Sequence, residues 1–150
     1  MTSETTQASG TVRKSMVGGG WGDWWKDKKK SNDEFLSAAE MGDYEKVKKY
    51  LNTEIMLGMV ADISAKGLDN WTALHFAANG GYNNITTELL KQPEIDVNAV
   101  SKVLRTPLHI ACSMGHTEIA KALIECKANP NCKDEEDSTP CHCASQFGNI

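Results

Sequence analysis

The chain has 150 residues, 40% hydrophobic and 24% charged, with a net charge of −4. That is enough apolar surface for a core, in one domain of ordinary size or a short array of repeats. Residues 1–32 hold six Lys or Arg against three Asp or Glu, whereas residues 33–150 hold ten against seventeen. An acidic body lacks the clustered cations that neutralise phosphates, which excludes nucleic acid as its partner.

Taken in chain order, residues 1–32 read as a disordered, basic tail. They are rich in Thr, Ser, Gly and Lys, with too little apolar surface to offset the entropy of ordering. MTSETTQASG is not a secretory leader, Thr2 excludes the myristoylation pattern, and no apolar run reaches the roughly 20 residues that span a bilayer. Five Cys without a leader argue for reduced thiols and a cytoplasmic location. Trp21, Trp24 and Trp25 stand at i, i+3 and i+4, one face of a helix, and Lys26, Lys28, Lys29 and Lys30 follow. The favoured reading is that this cluster folds back as a cap near Phe35, because exposed aromatic clusters are a liability. The alternative is contact with an anionic membrane surface.

From Asp33 a repeat sets in. Thr72-Ala73-Leu74-His75 recurs 34 residues later as Thr106-Pro107-Leu108-His109, and 33 residues later again as Thr139-Pro140-Cys141-His142. Gly81, Gly115 and Gly148 share those offsets, as do Ser64, Asn98 and Asn131. A fainter first unit shows in Ala38, Ala39 and Gly42, with an insertion expected between Leu51 and Ala61. Each unit predicts helix, turn, helix, loop. Thr106 is an N-cap, Pro107 suits a first turn, and Gly115 stops the helix. A second helix is predicted from Thr117 to Cys126, with Ile119, Ala120, Leu123 and Ile124 on one face. The divisions are 33–66, 67–100, 101–133 and a truncated 134–150.

These residues resemble the ankyrin repeat, whose period is about 33 and whose signature is T-P-L-H-x-A; here it stands as Thr106-Pro107-Leu108-His109-Ile110-Ala111. The resemblance covers residues 33–150 and implies an all-α solenoid. Three departures stand out. Asn70, Leu104 and Asp137 occupy the family's turn glycine, and Leu is the type that resists a left-handed conformation, so its turn is expected to be strained or of another type. Phe35-Leu36 replaces the signature in the first unit. Lys46 stands where Ile85 and Ile119 stand later, as suits a terminal capping repeat. The last unit ends at Ile150 where its second helix is due, so the expectation is the N-terminal piece of a longer ankyrin-containing chain.

The resemblance implies that His75, His109 and His142 tie helix starts to neighbouring loops, with no catalytic role, and that His116 also holds a family position. It also makes Asn98 similar to asparagines hydroxylated in ankyrin loops. Cys132, Cys141, His142 and Cys143 are zinc ligands by type, but their spacing is unlike a structural zinc site. Cys141 and Cys143 fall in the core register of Leu108 and Ile110. No enzyme activity, metal or cofactor is therefore expected. The function implied is a scaffold that binds another protein through its concave face. Hairpin tips would contribute Leu68, Asp69, Trp71, Lys102, Val103, Arg105, Glu135 and Glu136, and inner-helix ends Met114 and Phe147. Trp71 and Arg105, in one register one repeat apart, are the expected hot spots of that ridge; the alternative is that Trp71 packs on Leu104 and Arg105 is simply exposed. An alternative is the targeting module of a larger enzyme or lipid-handling protein, and a metal-binding module ranks last.

Overall fold

The computed structural model of the chain describes residues 20–52 and 62–148, with side chains in the first helix from Lys26 onward. The insertion expected between Leu51 and Ala61 falls on residues 53–61, outside the described residues. So do residues 1–19 and the side chains of Trp21, Trp24 and Trp25.

Seven α-helices occur among the described residues: α1 (Gly20–Met41), α2 (Tyr44–Asn52), α3 (Ala73–Gly80), α4 (Asn83–Leu90), α5 (Pro107–Met114), α6 (Thr117–Glu125) and α7 (Pro140–Gln146). They form two layers. The inner helices α1, α3, α5 and α7 stack in sequence, the outer helices α2, α4 and α6 stack behind them, and each outer helix packs on its own inner partner. No unit could bury its apolar face alone; stacking supplies the core. Phe35, Leu74 and Leu108 fill equivalent inner positions, and Ile85, Leu89, Ile119 and Leu123 face them from the outer layer, all buried.

Local chemistry explains the helix limits. Thr72, Thr106 and Thr139 each precede an inner helix in extended conformation, and Pro107 and Pro140 open theirs. Gly81 and Gly115 close α3 and α5 with φ of 75° and 78°. A methyl on Gly81 would also lie 2.7 Å from His116 Cε1, so the turn and its close packing both need glycine.

Three expectations need revision. The charge boundary at residue 33 falls inside α1, so residues 20–32, read as part of a disordered tail, are helical and continuous with the first repeat. Residues 26–30 are exposed, and Lys29–Asp33 at 3.4 Å and Lys30–Glu34 at 3.9 Å support the helix there at i, i+4 spacing. Ile124 does not share the buried face of Ile119 and Leu123 but is half exposed. Cys141 is exposed although its counterpart Leu108 is buried, because α7 covers Leu108 while no described element covers Cys141; Cys143 is buried as its register requires.

The hairpin ridge as the candidate interaction site

The inner helices α3, α5 and α7 are each preceded by a tight hairpin. Gly67 N–H donates to the Trp71 carbonyl at 2.8 Å, Ser101 to Arg105 at 2.9 Å and Asp134 to Ser138 at 3.0 Å. Asn70, Leu104 and Asp137 sit at the same point of these turns with φ of 62°, 61° and 63°. Leu104 therefore does not change the turn type but adopts a left-handed conformation that costs a non-glycine residue about 1–2 kcal/mol. The tips join sideways: Lys102 N–H donates to the Asp69 carbonyl at 2.8 Å, and Glu135 N–H to the Val103 carbonyl at 3.1 Å. Three hairpins thus make one hydrogen-bonded ridge.

Histidines fasten this ridge to the helices. His75 Nδ1 accepts from Thr72 N–H at 3.1 Å, and its Nε2 lies 2.9 Å from the Arg105 carbonyl in the next hairpin. His109 repeats the pattern with Thr106 N–H at 3.2 Å and the Ser138 carbonyl at 2.9 Å. A carbonyl only accepts, so Nε2 carries the proton, Nδ1 is bare, and both rings are neutral. Burial holds both imidazoles below their ordinary value, against the opposing pull of the carbonyl hydrogen bonds. Both ring nitrogens of each are committed to structure. On the opposite side His116 Nε2 reaches the Asn79 carbonyl at 3.2 Å, and the Tyr82 hydroxyl donates to the Glu40 carbonyl at 3.4 Å. Behind the hairpins, Asn98 Oδ1 accepts from Asn129 N–H at 2.7 Å.

The expected ridge residues divide into two groups. Arg105 turns inward. Its Nε donates to the Asp134 carboxylate at 3.0 Å and its Nη2 lies 3.5 Å from Glu136. Asp134 is buried, and burial alone would push its carboxyl up. Hydrogen bonds from Ser138 N–H, Arg105 and Glu136 N–H outweigh that and hold it below the usual range. Trp71 is half-buried against Phe76 at 5.2 Å and His75 at 5.9 Å between ring centres. In contrast Leu68 is 83% exposed and Val103 42%, while Asp69, Lys102, Glu135 and Glu136 are exposed beside them. Met114 and Phe147 are 51% and 56% exposed at the ends of the inner helices. The sequence reading did not include Leu104 in the site, although it is 49% exposed in the middle of the ridge. The signal in the sequence is a leucine in the family's glycine position, which speaks of the turn and not of what the side chain faces.

Among the described residues no three His, Cys, Asp or Glu side chains gather as a metal set, and no helix is long and apolar enough to cross a membrane. What the ridge offers is a rigid, partly apolar surface. Residues 35–134 and 93–150 match the family model for ankyrin repeats in three copies. The chain is an ankyrin-repeat protein. Repeats of this family generally mediate protein–protein interaction. The chain is 33% identical over 106 residues to human protein phosphatase 1 regulatory subunit 27, covering 71% of this chain and 65% of that one. It is 36% identical over 90 residues to a Caenorhabditis elegans homologue of transient receptor potential cation channel subfamily A member 1, 59% of this chain but 7% of the channel. It is 38% identical over 79 residues to human BCL-6 corepressor-like protein 1, 53% of this chain and 4% of that protein. The ankyrin array thus spans less than two thirds of the length of these curated relatives, and only a small fraction of the longest.

Proposed function

We propose that the array is a non-enzymatic scaffold that binds a protein partner across the ridge of hairpin tips and inner-helix ends. The supporting observation is where the large exposed apolar side chains lie. Among the described residues Leu68, Val103 and Leu104 lie at the hairpins, Met41, Met114 and Phe147 at the inner-helix ends, and Val100 and Ile124 at neither. Single exposed apolar residues are ordinary, but three at each end of the inner layer support an interaction surface there. The hydrogen bonds between tips hold the ridge in shape before a partner arrives, which lowers the ordering cost of binding. Arg105, paired inward, serves this surface by fixing the third hairpin, and half-buried Trp71 offers an edge of its ring.

The test uses the full chain as immobilised bait in a cell extract, beside a variant carrying Leu68→Asp and Met114→Asp. Both should give the same helical circular dichroism, and the variant should lose the partners that wild type retains. An unchanged set of captured proteins would falsify the ridge as the binding face.

A second reading rests on the relatives' lengths: the array is the targeting or regulatory module of a larger protein. An antibody raised against residues 33–150 distinguishes the two readings on a denaturing gel. A band far above the mass of this chain supports the larger protein. In either case the five free thiols agree with a cytoplasmic location. For the helical stretch holding Trp21, Trp24 and Trp25 the favoured role is a cap on the first repeat, and the alternative is contact with an anionic membrane. A blue shift of tryptophan fluorescence on adding anionic vesicles would favour the membrane.

A further inference from the structure

We infer that Leu104 is the anchor of the partner site, and that the segment it receives carries an apolar side chain followed by basic ones. The inference rests on the ridge reading above.

Leu104 works against the fold. The equivalent turn positions in the flanking hairpins hold Asn70 and Asp137, types that tolerate φ near 60°, whereas Leu104 reaches 61° with its Cβ crowding the backbone. Core burial does not compensate. The side chain is 49% exposed and stands outside the hydrophobic cluster. A residue strained in the backbone and wet at its side chain is the pattern of a position kept for contact with something outside the molecule.

Its surroundings select the ligand. Leu104 occupies the middle of three hairpins, next to Val103 and one hairpin away from Leu68, so apolar side chains stand at the centre and one end of the ridge, beside exposed Lys102 and Asp69. The other end exposes Glu135, Glu136 and Asp137. Arg105 at 3.5 Å from Glu136 and Lys133 at 3.7 Å from Asp137 offset part of that charge, and Glu135 adds to it. A partner laid along the ridge meets apolar side chains first and carboxylates next. Lys or Arg at that point gains charge complementarity; an acidic segment meets like charge.

The experiment pans a random peptide library against the immobilised full chain and measures peptide binding by fluorescence polarisation. Wild type is compared with Leu104→Gly, Leu104→Met and the double variant Leu68→Asp/Met114→Asp, with Tm recorded for each. Selected peptides should share an apolar residue followed by Lys or Arg and bind more weakly at high salt. Leu104→Gly should raise Tm by about 3 °C while weakening binding at least tenfold, and Leu104→Met should bind like wild type. A library that yields no binder, or acidic binders, overturns the inference, as does a Leu104→Gly variant with lowered Tm. If Leu104→Gly binds normally and only the double variant fails, Leu104 falls and the ridge stands. If no variant alters binding, both fall.

Discussion

At the scale of single residues, the neutral histidines decide how the array responds to pH. Burial depresses the folded values of His75 and His109 below 6.5, so the unfolded chain takes up protons first as pH falls. Their contribution to stability is therefore complete above pH 6.5 and drains away below it. A proton on Nδ1 would also face the Thr72 or Thr106 N–H, donor against donor. The thermal midpoint should drop by several degrees between pH 7.5 and pH 5.5, and a flat profile would contradict the tautomer assigned to these rings. His109→Ala removes a hydrogen-bonded buried ring and should cost about 2–3 kcal/mol in urea unfolding. Arg105→Ala should cost about 2 kcal/mol, because the Asp134 carboxylate stays buried with two backbone N–H partners and no cation. A smaller loss in Arg105→Ala than in Val103→Ala would show that the ion pair does not hold the third hairpin. The role of the histidines was legible through the ankyrin resemblance, whose signature sets each of them three residues after the Thr that opens its helix. The inward turn of Arg105 was not, because its partner lies 29 residues away in another hairpin and no local spacing reveals it.

At the scale of elements, the glycine stops can be compared with one another. Gly81 and Gly148 share a left-handed backbone, with φ of 75° and 71°. A methyl on Gly81 meets the His116 ring, whereas one on Gly148 meets nothing within 4 Å. Gly148→Ala should thus cost about 1 kcal/mol of backbone strain alone, and Gly81→Ala should cost more by displacing the ring that reaches Asn79. Equal losses in thermal denaturation would mean that the His116 contact contributes nothing. Helices bounded by Thr, Pro and Gly were readable from sequence to within a residue or so, since their caps are local chemistry. The start of α1 was not readable in the same way. Trp21, Trp24 and Trp25 stand at helical spacing, but the Lys run after them carries no apolar period into the first repeat, and the step in charge suggested a boundary where the backbone has none.

At the scale of the whole molecule, the array behaves as a row of units in which each touches only its neighbours, so stability is a sum of unit and interface terms. Among the described helices α3 and α5 have inner neighbours on both sides, while α7 has one. Native-state hydrogen exchange should find the amides of α3 and α5 best protected and those of α7 opening first; uniform protection would contradict a linear sum. The solenoid itself was legible because repeats declare themselves at a fixed offset, whereas the surface that recognises a partner is set by which side chains the stacking leaves uncovered. The interfaces are also unequal in kind. Between the second and third units, and between the third and fourth, a histidine and a peptide hydrogen bond cross the gap. Between the first and second, Leu36 stands in the histidine's register and packs its methyl near Gly67, and the hydrogen bond from the Tyr82 hydroxyl to the Glu40 carbonyl is a longer one at 3.4 Å. Apolar contact gives way smoothly under shear, while crossed hydrogen bonds hold until they snap. Stretched between its two ends, the array would yield first at the joint behind Leu36, letting α1 and α2 peel away as one piece while the remaining units stay locked, a weak link placed by one leucine.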